Sequence, residues 1–239
     1  MSNTSKSRGL KGSKFWMQVV VDDEDLQKEL NKRIGEDLRW ISPLAGEKEE
    51  FEEYELQHEV VRKELGISEA ESKIIFSFWP RRQPQWDGLA ISRDGKTLYI
   101  VEAKGHLTEL DSKLLASNKE SIYLINKAMK TVHDAYYIKG QYDAWLNKYY
   151  QLGNRLTFLK YLQRIRFEKI EQVRLVLLNF VDDFTNIKTT EFEWEQHYKE
   201  VFEIMIGSKE APEDVLVIHF NVSGRGIAPN PMDGKPIYK

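Results

Sequence analysis

The chain has 239 residues, with 38 acidic against 35 basic side chains, a formal net charge of −3 and no cysteine. Hydrophobic residues make up 41% and aromatics 12%, enough apolar material for a sizeable core, so wholesale disorder is excluded. The lack of cysteine excludes disulfide scaffolds, thiolate zinc sites and thiol nucleophiles and fits a reducing, cytoplasmic compartment, and no apolar run approaches the ~20 residues that span a bilayer, so no membrane is expected as a partner.

Residues 1–14 carry Lys6, Arg8, Lys11 and Lys14 among small polar residues and read as a flexible basic tail, without the apolar stretch of a signal peptide. Over 47–65, Phe51, Tyr54, Val61 and Leu65 fall at helical spacing and predict an amphipathic helix stopped by Gly66. Three β-rich runs follow at 73–79, 85–92 and 97–104. Helices are predicted over 113–137 and 142–166, the second with Trp145, Tyr149, Leu152, Leu156 and Leu159 along one seam. The nearly all-apolar run 173–181 predicts a strand buried on both faces. A helix over 191–206 and a strand over 214–222 complete the series. The glycine- and proline-rich stretch 223–239 reads as an extended C-terminal tail. The order is helix, three strands, helices, strand, helix, strand: an α/β class with a mixed sheet flanked by helices, in one domain over 15–222.

The informative stretch is QPQWDGLAISRDGKTLYIVEAKGH, residues 83–106. Asp94-Gly95 between two β-rich runs signals a two-residue hairpin loop of type I′, which needs positive φ at both positions. In that register Ser92 faces Thr97, Ala90 faces Tyr99 and Asp87 faces Glu102. Opposed residues share one side of a sheet, and Lys104, two residues beyond Glu102, shares it too. Two carboxylates side by side among apolar neighbours must be protonated, paired with cations or bridged by a metal. Mg²⁺ accepts two carboxylates, with water and a substrate phosphate in its other positions. A lysine beside them could hold the attacking water or stabilise charge on phosphorus. The same residues could instead form a plain ion pair, Lys104 neutralising Glu102 while Asp87 caps a turn.

Asp87, then Glu102-Ala103-Lys104 at the end of the next strand, resembles the PD-(D/E)XK nuclease superfamily, the restriction-endonuclease-like fold. The segments WISPL, FEEYE, FWP with PQWDGLA, LYIVEAKGHLTEL and YQLGNRLTFLKYL are similar to a subfamily of these nuclease-like proteins, from about Trp40 to Val222. The proline of the motif's name is replaced here by Trp86, with Pro84 nearby. Acid-x-Lys triplets also occur at Glu71, Asp94, Asp111 and Asp233, but only Glu102-Ala103-Lys104 ends an apolar strand. The resemblance implies an αβββαβ core and a metal-dependent nuclease acting on DNA ahead of RNA. It further implies Mg²⁺, with Mn²⁺ as a substitute, held by Asp87, Glu102 and the Ala103 carbonyl, with Lys104 catalytic. It favours Glu53 as the acid that the first helix adds, and it is compatible with a homodimer.

Other residues are candidates by placement. His106 follows the strand end and could meet a phosphate or a proton. Gln151, Asn154 and Arg155 fall at i, i+3 and i+4, so one helix face presents them together, and a guanidinium suits a phosphate. Arg81 and Arg82, with Arg155, Lys160, Arg164 and Arg166, are local basic groups that could bind nucleic acid despite the negative total. The alternative to a nuclease is a catalytically inactive module of that fold that binds nucleic acid or a protein partner.

Overall fold

The computed structural model describes residues 5–6, 8–45, 51–232 and 235–238. In chain order the elements are β1 (Ser5–Lys6), α1 (Gly12–Asp22), α2 (Glu24–Ile34), β2 (Leu38–Ser42), β3 (Leu44–Ala45), β4 (Phe51–Glu52), α3 (Glu59–Leu65), α4 (Glu69–Ile75), β5 (Gly88–Ser92) and β6 (Thr97–Lys104). Then come α5 (Lys119–Tyr136), α6 (Tyr142–Asn147), α7 (Tyr150–Gln163), β7 (Gln172–Val181), α8 (Glu191–Ile206), β8 (Val215–Asn221), β9 (Ile227–Pro229) and β10 (Pro236–Tyr238). Five strands form a mixed sheet in the order β2-β5-β6-β7-β8. The first three run as an antiparallel meander, while β6, β7 and β8 are parallel.

Strand alternation sorts the sheet residues between two cores. Leu98, Ile100, Leu175 and Leu177 point into a large cluster with α3 to α8, which holds Trp145, Leu156, Phe158 and Trp194. Tyr99, Val101, Val176 and Leu178 pack against Phe15, Trp16, Val20, Leu26 and Leu30 of α1 and α2. The result is three layers, helices on sheet on helices. The long helices begin and end on local signals: Thr190 and Glu193 form a capping box on α8, and Gly207 closes it at φ 72°.

Several expectations need correction. The strand predicted at 73–79 is absent; Ser68 and Glu71 cap α4, which continues into a 3₁₀ turn over Phe76–Phe78. The edge strand of the meander is β2 instead. Of the helix predicted at 47–65 only α3 forms, preceded by β4 and irregular chain, and residues 47–50 lie outside the described residues. The N-terminal segment is ordered before residue 15: α1 starts at Gly12, and the buried Gly9 donates its N–H to Gln18 Oε1 at 2.7 Å. The C-terminal stretch carries an antiparallel pair, β9 with β10, and buries Ile227. The helix predicted over 142–166 divides into α6 and α7.

The β5–β6 hairpin has the predicted register, with Ala90 opposite Tyr99 and Gly88 opposite Val101, but a different turn. Gly95 has φ 80°, whereas Asp182 is the one non-glycine with positive φ among the described residues, so the loop is not type I′. Residues 93–96 form it, and Ser92 Oγ accepts from the N–H of Lys96 and Thr97 at 3.2 and 2.9 Å. At the other end of β5, α1 and β2 approach Gly88 closely. A Cβ there would stand 2.8 Å from Met17 Cε and from Trp40 Cζ3. Gly88→Ala is therefore expected to lower unfolding free energy by about 1–3 kcal/mol through overpacking, measured by urea denaturation.

Candidate functional site

Parallel strands of an open sheet gather ligand sites at their carboxyl ends, and the polar cluster of this chain sits at that end of β6. Glu102 and Lys104 are successive residues on the face toward α7, and both are buried, at 4% and 6% exposure. Two oxygens of one buried carboxylate need donors, and each has a cation. Lys104 Nζ donates to Glu102 Oε1 at 2.5 Å, and Arg155 Nε donates to Oε2 at 2.5 Å. Burial alone would raise the Glu102 pKa, but Arg155 and Lys104 outweigh it and hold the carboxyl below its ordinary value. Burial would likewise lower Lys104, and the charges of Glu102 and Asp87 reverse that, so the ammonium is retained.

Asp87 lies one residue before β5, half-buried, and its Oδ2 accepts the Ala103 N–H at 2.8 Å. That bond sets its carboxylate at the end of β6 beside Glu102. Burial first, and then repulsion from Glu102, push its pKa up to about 7. Asp87 and Glu102 are thus brought together with Lys104, as the hairpin register predicts.

The α7 trio is also present on one face. Gln151 Oε1 accepts from Lys104 Nζ at 3.0 Å. Arg155 reaches further: besides Glu102, it donates to the Gln85 carbonyl at 2.7 Å and to Asn154 Oδ1 at 3.3 Å. Its guanidinium lies 4.5 Å from the Trp86 ring centre, a stacking arrangement that desolvation strengthens. Arg155 therefore pins the segment leading into Asp87. Ion-pair, hydrogen-bond and stacking contacts all meet on this one side chain.

Two candidates have partners outside that cluster. Glu53 is on irregular chain after β4, half-buried, with Lys14 Nζ of α1 at 3.9 Å. His106 is engaged in its own loop, Nδ1 with Thr108 Oγ1 at 2.8 Å and Nε2 with Glu109 Oε1 at 3.3 Å. Glu109 in turn accepts from the Gly105 N–H and the Ser13 hydroxyl, tying the loop to the start of α1.

The structure adds two residues that sequence reasoning missed. Asn179 of β7 pairs with Lys104 across the parallel ladder and accepts the Tyr198 hydroxyl of α8 at 3.0 Å. Burial raises the Tyr198 pKa and the Glu102 charge adds to it. A single polar residue inside the apolar run of β7 was the available signal; the register that sets it opposite Lys104 was not.

A metal would find two carboxylates here. Among the described residues no group of three or more His, Cys, Asp or Glu stands together as a metal site. An oxygen-only pair nonetheless suits Mg²⁺, which commonly takes one or two carboxylates and completes its shell with water and phosphate. A groove of about 1190 Å³ opens beside the cluster, lined in part by Arg82, Gln83, Gln151, Asn154 and Arg155. Lys160 of α7 and Arg164, which caps its end, do not line it. Lys160 pairs with Asp214 at 3.0 Å, and Arg164 lies over the Tyr136 ring.

Two outcomes follow from this geometry. Removing Arg155 leaves a buried carboxylate half-compensated and frees the 85–87 segment, so Arg155→Met is expected to cost about 3–5 kcal/mol in chemical denaturation. The raised Asp87 pKa means that the folded chain holds this proton more tightly than the unfolded chain. Below about pH 4 both states bind it, and above pH 7 neither does, so its contribution to stability falls as pH rises between them. Asp87→Asn removes that dependence. The variant should gain stability relative to wild type from pH 4 to pH 8, read from denaturation midpoints across that range.

Comparison with models of protein families, with curated proteins and with solved structures found no match. The geometry of the cluster at the end of β6 is what carries a function.

Proposed function

We propose that the chain is a metal-dependent phosphodiesterase of the restriction-endonuclease-like fold, a nuclease that hydrolyses nucleic acid, DNA ahead of RNA. The observation that carries this reading is the meeting of Asp87 and Glu102 at adjoining strand ends with Lys104 on the same face. Strand order supports the αβββαβ core: helices α1 and α2, the β2-β5-β6 meander, a helical crossover, then β7 parallel to β6.

Asp87 and Glu102 would hold Mg²⁺, or Mn²⁺ in its place, with the Ala103 carbonyl assisting, and the bound ion would polarise a phosphoryl oxygen and acidify a bound water. Lys104 meets the site as an ammonium held by the charges of Glu102 and Asp87. Its ammonium orients the attacking water and opposes the charge that develops on the phosphoryl oxygens, while Gln151 fixes its position. Arg155 and Asn154 would meet the substrate backbone from α7. His106 and Glu53 would act at the rim, His106 toward a phosphate and Glu53 by orienting the shell.

One observation favours a second reading, a module of this fold that binds nucleic acid or a protein without turnover. Both oxygens of Glu102 are already held by cations, so a metal must share or displace them. The two readings separate in one set of measurements. The nuclease cleaves single- or double-stranded DNA with Mg²⁺ or Mn²⁺ and not with chelator, and Asp87→Ala and Lys104→Ala each lose about 10²-fold or more in rate. Equal rates in all three proteins would sink the assignment. Calorimetry showing no divalent binding at millimolar metal, with nucleic-acid binding intact in Asp87→Ala, would establish the module.

A further inference from the structure

The groove beside the cluster has features that the phosphodiesterase reading does not use. At about 1190 Å³ it exceeds the ~300–1,000 Å³ of small-molecule pockets and has the size for a length of polymer. Its walls are the segment around Trp79 to Gln85, α7, and the irregular strap that leads into α5. Leu114 N–H of the strap donates to the Leu146 carbonyl at 2.8 Å, and Ser112 N–H to that of Lys148 at 2.8 Å. The strap is therefore a fixed wall.

Three side chains give the groove its sign. Arg82, Lys113 and Lys148 are all exposed on its lining, Lys148 with its ammonium 4.9 Å from the Tyr149 ring centre, against one acid, Asp111. In a chain of net charge −3 this is a local excess of positive charge, the footprint of a polyanion. The walls also carry apolar and aromatic residues, including Leu114, Ile125 and Tyr150, among neutral polar ones. A duplex backbone has no use for an apolar wall, whereas unstacked bases lie against such surfaces.

Gln83 is the independent observation. It is 4% exposed, it lines the groove, and neither its Nε2 nor its Oε1 has a hydrogen-bond partner. A buried amide with both ends unpaired costs about 1–3 kcal/mol for each missing partner, so the protein retains it at a loss unless a ligand supplies them. An amide offers one donor and one acceptor on a single edge, the pattern that a base edge such as that of adenine complements.

Resting on the nuclease reading, we infer that this groove binds a single-stranded segment of nucleic acid. Arg82, Lys113 and Lys148 track its phosphates, the Gln83 amide, uncovered as the strand seats, pairs with the edge of one unstacked base, and Arg155 and Gln151 hand the backbone to Asp87, Glu102 and Lys104. The substrate class of the site is then single-stranded or locally unpaired nucleic acid rather than regular duplex.

The test is fluorescence anisotropy with labelled oligonucleotides of one length, in chelator, so that neither metal nor cleavage enters the measurement. The full chain should bind a single strand about tenfold or more tighter than the matching blunt duplex, with affinity falling as salt rises. A triple variant, Arg82→Ala, Lys113→Ala and Lys148→Ala, changes only exposed positions and should weaken every single strand about tenfold and flatten the salt dependence. Gln83→Leu should narrow the spread of affinities among homopolymers of different base while leaving an abasic strand bound as before. Each variant's fold is verified by circular dichroism and its denaturation midpoint.

Equal or tighter binding of the duplex, full affinity in the triple variant, or an unchanged base spread in Gln83→Leu would overturn the proposal. So would displacement of the oligonucleotide by polyglutamate at equal charge concentration, which would mark the groove as a site for acidic peptide. The nuclease reading fails separately, in the metal-dependent cleavage by wild type, Asp87→Ala and Lys104→Ala.

Discussion

The open end of the sheet depends on one buried carboxylate, that of Glu102. A charge removed from water must be compensated in place, and the compensation here comes from two directions. Lys104 belongs to the same strand, so its pairing is local. Arg155 belongs to α7, so its pairing fixes how that helix sits on β6. Through the Gln85 carbonyl and the face of Trp86, Arg155 also fixes the chain that delivers Asp87. Helix, strand and entry segment share one anchor.

That anchor explains why two carboxylates can stand together. Glu102 keeps its charge because two cations face it, while burial and then repulsion from Glu102 make Asp87 bind a proton more tightly.

Charge is distributed along the same lines. The overall excess of acid says little, because several basic residues are spent in specific places. Lys160 is held by Asp214, Arg164 lies over aromatic rings, and Arg166 lines a separate cavity with Glu71 and Glu168. Arg82, Lys113 and Lys148 line the groove that leads to the site. Sequence proximity put Arg155, Lys160, Arg164 and Arg166 in one basic group; helix rotation separated them.

Much of the fold was legible in the residues. Local patterns located β5, β6, β7, β8, α5 and α8, since each is long enough for period and caps to agree. The hairpin register alone brought Asp87 beside Glu102 and put Lys104 on the same face, whatever the turn type. The failures are also physical. Helix α1 buries residues on most of its surface, so it shows no amphipathic stripe, and its run of valines favours neither period. The apolar run at 73–79 is too short to separate strand from helix, although the Ser68–Glu71 capping box marked it. What the sequence by itself determined was the identity and facing of the two carboxylates and the lysine, because strand alternation is a local property. Tertiary structure decided that Arg155 joins Lys104 on Glu102, where Asn179 and Tyr198 join, and which basic side chains share the groove. Those contacts join residues far apart in the chain, and only the packing of α7 and β7 on β6 sets their distances.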